Sequence, residues 1–389
     1  MAFLQTFPNF NLYSMPLLIL IGQGYLFAVI LFVRYFQKRK TSDLLLALLL
    51  VITGLRCVAY TIGFMGWYDV YQNTKINYFL FDYSLILGPL VYFYVKSITN
   101  PDFKFRRKDL WHTAPWLLYV GLQMFIYIYD VQQPGFDEVQ NGILYVKINF
   151  SIGIYMVILG IISRIAYFFF AVKIFYEFRD KIKQFFSNTY KVELNWLRNF
   201  LVVYLALFVL RILFTFTNQF FYQLTWTQNW WWYFLASIVV VYLGMMGIFA
   251  DLGKLSELRF VEPGPEPEDQ KSLGQEILPI KEKLEDYMDE EKVFLNPDLT
   301  LSELSKLIEV PSNQLSKVIN SGFGKNFNDF VNEYRVEEVK GALSDPQYAH
   351  FSILGIAFEC GFNSKATFNR VFKKFTGHSP SEYQMIENR

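Results

Sequence analysis

The stretch Ala357-Phe-Glu-Cys-Gly-Phe-Asn-Ser-Lys-Ala-Thr-Phe-Asn-Arg-Val-Phe-Lys-Lys-Phe-Thr-Gly-His-Ser-Pro380 decides how the C-terminal part of this chain folds. Ile353, Ile356 and Ala357 recur at helical spacing, Cys360-Gly361-Phe362 supplies a turn, and Asn363 or Ser364 caps a second helix. Gly361 suits that turn because it accepts positive φ without a Cβ clash. In the second helix Phe368, Val371, Phe372 and Phe375 share one side. Lys365, Asn369, Arg370, Lys373 and Lys374 project elsewhere. Helix, tight turn, helix is the pattern of a helix-turn-helix.

The same pattern occurs upstream. Thr300 and Glu303 form a capping box, followed by the apolar face Leu301, Leu304, Leu307 and Ile308. Val310-Pro311 breaks that helix. Ser312 begins another, with Leu315, Val318 and Ile319 inward and Gly322 and Gly324 at its end. A longer helix over Phe327–Leu343 joins the two motifs, with Phe330, Val331, Tyr334, Val339 and Leu343 as core. Ahead of them, Ile277, Ile280, Leu284, Tyr287 and Met288 mark a helix that either packs on its own domain or dimerises.

The composition changes character near Asp251. The segment Glu262-Pro-Gly-Pro-Glu-Pro-Glu-Asp-Gln270 opposes helix and core formation and reads as an extended, acidic tether within Leu252–Lys271. Before it, segments of about 20 mostly apolar residues, the length a membrane helix needs, recur in succession. They fall near Met15–Phe36, Leu44–Phe64, Tyr78–Ile98, Leu110–Tyr129, Phe150–Lys173, Asn199–Asn218 and Trp230–Ala250. The start lacks the basic residues and cleavage site of a leader peptide, so the first segment is expected to be retained. The expected fold class is all-α: a seven-helix transmembrane bundle (1–250), a Pro/Glu-rich linker (251–275) and a cytoplasmic domain with two helix-turn-helix motifs (276–389).

Basic residues set the expected orientation. Lys38, Arg39 and Lys40 follow the first segment; Lys104, Arg106, Arg107 and Lys108 follow the third; Arg179, Lys181, Lys183 and Lys191 follow the fifth. The alternate loops hold only Lys75 and Lys147. Positive loops stay inside, which puts the N-terminus outside, the C-terminal domain in the cytoplasm, and the chain in the cell's inner membrane. Trp67, Tyr68 and Tyr71, and the group Trp226, Trp230, Trp231 and Trp232, suit the outer headgroup level. Cys57 and Cys360 fall in different compartments, so no disulfide is expected, and Cys360 fits a reducing cytoplasm.

Charged residues inside apolar segments are costly and face the bundle interior or water. Arg56, Arg164, Arg211 and Asp82 are of this kind. One reading is a ligand site in which arginines hold an anionic group. The other is interhelical pairing of Arg56 or Arg211 with Asp82.

The C-terminal part resembles the AraC family of bacterial transcription regulators over about Ile277–Tyr383. The resemblance rests on the order Ala-x-x-x-Gly-Phe, Phe-x-Arg-x-Phe-Lys-Lys and Gly-x-x-Pro-x-x-Tyr within 357–383, and on Tyr334-Arg335 in the connecting helix. With the apolar half, it resembles the family's membrane-bound branch. The resemblance implies two recognition helices in successive major-groove segments of promoter DNA. Asn313, Ser316 and Lys317 of the first, and Lys365, Ala366, Asn369 and Arg370 of the second, would face bases, and Lys373 and Lys374 phosphates. It also implies a homodimer on DNA and, for an activator, contact with RNA polymerase. Gln384 departs from the family's basic residue after the last aromatic. Charge departs too: from Lys271 onward 11 Lys and 3 Arg face 18 Asp and Glu, giving 14 − 18 = −4, where DNA binders are normally basic.

The expected function is a membrane-embedded one-component regulator that senses a small ligand or envelope signal. The alternative is a transporter or channel with a regulatory DNA-binding tail. Catalysis is not expected. The chain has only His112, His350 and His378, no Gly-x-x-x-x-Gly-Lys phosphate loop and no Gly-x-Ser-x-Gly elbow. No cofactor or metal is implied.

Overall fold

A computed structural model of the chain describes residues 7–71, 75–78, 82–100, 103–136, 142–189, 194–249, 270–348 and 350–387. Two compact units emerge: 1–175 with 195–256, and 176–194 with 257–389. Nearly every described element is helical. The expected tether falls on 252–271, of which 252–269 lie outside the described residues.

The first unit contains α1 (Ser14–Lys38), α2 (Thr41–Phe64), α3 (Ser84–Thr99), α4 (Ala114–Val131), most of α5 (Ile143–Phe185), α6 (Asn195–Phe220) and α7 (Trp226–Phe249). These are the seven expected apolar helices. Five of them, α1, α2, α5, α6 and α7, are long and apolar enough to cross a membrane. The other two are shorter than the sequence suggested. For the third segment, expected from Tyr78, the described α-helix starts at Ser84, where Asp82 Oδ1 accepts the Ser84 backbone N–H at 2.5 Å, and Tyr78 ends a 3₁₀ turn, Lys75–Tyr78. At 16 residues and 1.5 Å rise it spans about 24 Å, short of the roughly 30 Å hydrocarbon layer. The fourth starts as a 3₁₀ turn, Arg107–Thr113, before α4.

Helices satisfy their own backbone groups, which lipid cannot do. Packing between them is close: α1 lies on α2 and α7, α2 on α3, and α6 on α7. Gly244 of α7 sits so near α1 that a Cβ there would lie 2.6 Å from the Phe27 ring. Large apolar side chains remain uncovered on α1, α5 and α6, among them Leu26 (58% exposed), Phe169 (64%) and Leu213 (55%).

Two buried carboxylates, neither singled out from sequence, fasten this unit. Asp43 takes Arg34 in a two-pronged contact, 2.7 Å at each oxygen, while Arg34 also donates to the Gly247 and Ile248 carbonyls of α7. Asp130 accepts from Leu144 N, Tyr145 N and Tyr78 Oη, so it closes the N-terminus of α5.

In the second unit α8 (Gln270–Asp289) leads into two helix pairs. The first is α9 (Leu301–Leu307) and α10 (Ser312–Lys317), which runs into a π-helical turn, Val318–Gly322; the second is α12 (Ile353–Glu359) and α13 (Lys365–Thr376). α11 (Phe327–Ser344) connects them and α14 (Pro380–Glu387) follows. Each pair has its own core. Phe327, Phe330 and Val331 of α11 join Leu284, Leu304 and Leu315 in one. Val336 and Val339 join Ala357, Phe368 and Phe372 in the other. α8 packs on the first core of its own unit, one of the two placements left open by its sequence.

α5 has 43 residues, about 64 Å and roughly twice a bilayer's apolar thickness. Its last turns, from Tyr176, cluster with the second unit. The chain beyond it docks there. Phe186 forms an antiparallel bridge with Thr300, Ser187 N donates to Leu299 O at 3.2 Å, and Phe185 packs on the first core.

Candidate functional site

The helix ends fix how each helix pair is presented. At α9 the capping box forms as the sequence predicts: Glu303 N donates to Thr300 Oγ1 at 3.2 Å and Thr300 N to the Glu303 carboxylate at 2.9 Å. Glu309 turns left-handed at φ 54° before Pro311, separating α9 from α10. At α13 the cap is Ser364, whose Oγ accepts Thr367 N at 3.2 Å. Asn363, the other candidate cap, leaves both atoms of its buried amide without a partner among the described residues.

The second recognition helix divides cleanly. Thr367, Phe368, Val371 and Phe372 are buried, and Lys365, Ala366, Asn369, Arg370, Lys373 and Lys374 are exposed. All six candidate contact residues of this helix therefore lie on its solvent side. On the first recognition helix Asn313 is exposed, and Ser316 and Lys317 are half-buried. Sequence reasoning passed over Gln314, which is exposed beside Asn313 and donates its backbone N–H to the Asn313 side chain at 2.8 Å.

The net negative charge has a structural counterpart on α11. Its acids are matched by lysines: Asp329 with Lys374 at 2.6 Å, Glu338 with Lys292 at 2.7 Å, Glu337 with Lys340 at 2.7 Å, and Glu333 with Lys325. Lys374 was expected to face phosphate and instead reaches α11. Exposed pairs of this kind are worth about 0–1 kcal/mol, so a phosphate can still draw Lys374 away.

Between the two helix pairs stands Arg335, 1% exposed. Its Nε donates to Phe294 O at 2.7 Å; its Nη2 donates to Asn296 O at 2.7 Å and to Ser187 Oγ at 3.1 Å. Burial pushes its guanidinium pKa down to about 10, which leaves it charged at neutral pH. Ser187, fully buried, donates its hydroxyl to Leu299 O at 2.7 Å, and its own carbonyl accepts from Asn328 and Asn332. Ser187→Ala should therefore cost about 0.5–1.5 kcal/mol, the range for a lost hydrogen bond whose partners keep another. The expected result is faster hydrogen exchange around 294–300 in the full-length protein. Unchanged exchange would show that Ser187 is not a keystone.

The polar residues of the apolar half also converge. Arg56, Arg164 and Arg211 line one cavity with Tyr204, Trp232 and aliphatic side chains of α2, α3, α6 and α7. Asp82 is not among its lining. It forms no ion pair at contact distance with Arg56 or Arg211 among the described residues, though its charge acts favourably on Arg211 and Arg164.

Residues 304–385 match a family model described as a helix-turn-helix domain, and the chain's C-terminal part is an AraC-type domain of this kind. Similar proteins include an uncharacterised HTH-type transcriptional regulator of Staphylococcus aureus strain COL, 35% identical over 103 residues, or 26% of this chain and 13% of that one. The strain MSSA476 counterpart gives the same figures. The uncharacterised HTH-type transcriptional regulator YijO of Escherichia coli K12 is 30% identical over 103 residues, 26% of this chain and 34% of its own. The chain thus spans about an eighth to a third of the length of these relatives. No solved structure matches it.

Proposed function

We propose that the protein is a one-component regulator held in the inner membrane, with its N-terminus outside and its two helix-turn-helix motifs in the cytoplasm on promoter DNA. The observation that carries this reading is the six-residue exposed face of α13, presented by a buried apolar face, on a chain with five helices of membrane-crossing length. Lys365, Ala366, Asn369 and Arg370 face base edges, and Lys373 holds phosphate. The regulator acts as a homodimer, because two weakly charged units on paired half-sites gain the affinity one lacks. An activating form also engages RNA polymerase. A ligand in the bundle acts by favouring one helix arrangement over another. The segment 185–189 supports a direct route from α5 to the DNA-binding unit, because Ser187 is part of that unit's interior.

Chromatin immunoprecipitation of the full-length protein tests the DNA reading. Arg370→Ala is expected to lower occupancy of the preferred site about 10- to 100-fold, the scale of one lost bidentate base contact, while insertion is unchanged. Equal enrichment for wild type and variant would reject the readout.

A further inference from the structure

We propose that the bundle cavity binds an acid with an apolar body, its compact anionic head (carboxylate or phosphate) lodged between Arg56, Arg164 and Arg211. This deepens the sensing role and rests on it only for the effect on transcription; the binding itself stands on the cavity.

Three guanidiniums line a partly open cavity whose atom-free space, open solvent included, is about 680 Å³. Each guanidinium has an aromatic ring beside it: Arg211 and Arg56 lie over the Trp232 ring, 4.8 and 5.8 Å from its centroid, and Arg164 lies over Phe208 at 4.7 Å. A ring accepts no conventional hydrogen bond, so the N–H groups remain able to donate to a ligand. Arg164 spends one on the Gly160 carbonyl at 3.1 Å. Arg56 and Arg211 make no hydrogen bond or ion pair among the described residues.

Two further donors in the lining lack partners. The buried Trp232 indole N–H and Tyr204 hydroxyl make no hydrogen bond among the described residues, and Trp232 is 7% exposed. A buried donor without a partner is destabilising, and like charges in an apolar setting are more so unless an opposite charge joins them. Water can satisfy the donors, but Asp82, the single carboxylate among the described residues whose charge reaches Arg164 and Arg211, cannot neutralise three cations. A bound anion does both. The remaining wall, including Leu50, Leu87, Leu207 and Val240, is apolar and suits a hydrocarbon or aromatic body. The shared chemistry admits a lipid-borne acid or a dissolved one.

The test is equilibrium binding of radiolabelled laurate to the full-length protein in nanodiscs of phosphatidylcholine alone, without DNA. Saturable binding is expected, with dodecanol, the uncharged counterpart, competing at least tenfold more weakly. Arg56→Gln and Arg211→Gln should each weaken laurate at least tenfold, about 1.4 kcal/mol, and Arg211→Lys should restore part of it. Competition by phosphatidylglycerol points to a lipid source and competition by 1-naphthoate to a dissolved one; either supports the assignment. Equal affinity for laurate and dodecanol, wild-type laurate affinity in both glutamine variants, or no saturable binding of any of the three acids overturns it. The laurate–dodecanol comparison needs no variant, so it decides even where a substitution prevents folding. Because DNA is absent, failure here leaves the promoter-binding reading intact, and failure of that reading leaves this result unchanged.

Discussion

Arg335→Ala is expected to destabilise the DNA-binding unit by about 3–5 kcal/mol, a large share of a typical domain's roughly 5–15 kcal/mol. The side chain is almost completely enclosed and satisfies the Phe294 and Asn296 carbonyls. Alanine leaves the Phe294 carbonyl without its side-chain donor, takes one of two donors from the Asn296 carbonyl, opens a void the size of a guanidinium, and removes one of the two partners of Ser187 Oγ. The carbonyls belong to the loop before α9, and Arg335 belongs to the helix that carries both recognition motifs, so the loss loosens their relative placement. Hydrogen exchange of the full-length protein in nanodiscs should show lost protection at 294–300 and along α11, with promoter occupancy falling in parallel. Native-like protection in the variant would mean that α11 holds its place by apolar packing alone.

Gly361→Ala is the second large effect, expected at about 3 kcal/mol or more. Two penalties combine. The backbone is left-handed there, with φ at +88°, which costs an L-residue about 1–2 kcal/mol. The added Cβ would also lie 2.6 Å from Phe294 O and 3.0 Å from Leu295 O, backbone atoms that have little room to move, and 2.9 Å from Arg335 Nε. The strain falls on the turn that aims α13, so promoter occupancy should drop even where the protein still folds. Gly341→Ala is the control. It lies inside α11 with nothing within 4 Å of a new Cβ, and should be neutral or stabilising by about 0.5–1 kcal/mol. Comparable destabilisation by the two substitutions, in thermal scans of the full-length protein, would contradict this account. Arg335→Ala with Gly361→Ala should cost less than the sum of the two, because both disturb the same carbonyls.

The helix-turn-helix half was legible because its signals are local. Thr300 with Glu303, Gly361 at its turn, and the Phe368, Val371 and Phe372 stripe each need only a few neighbouring residues to be read. The convergence of Arg56, Arg164 and Arg211 was legible only in part. Their cost in an apolar segment marks them, but which of them meet depends on helix packing that spacing does not encode. The pairing of Lys374 with Asp329 joins residues 45 apart, and no pattern announces it. The start of the third helix was not legible from hydropathy, because it is set by a local polar contact, Asp82 Oδ1 accepting the Ser84 N–H. Least legible was Phe186-Ser187, a short polar break between apolar segments, where nothing in the residue types foretells burial against Arg335.

That break has a consequence for any scheme in which a protease frees the regulator. Two separate lengths of polypeptide build the DNA-binding unit, 176–194, arriving from α5, and 257–389. A nick within 252–269 severs only the second attachment. The fragment would stay clasped around Ser187, copurifying with the bilayer until that grip is also broken.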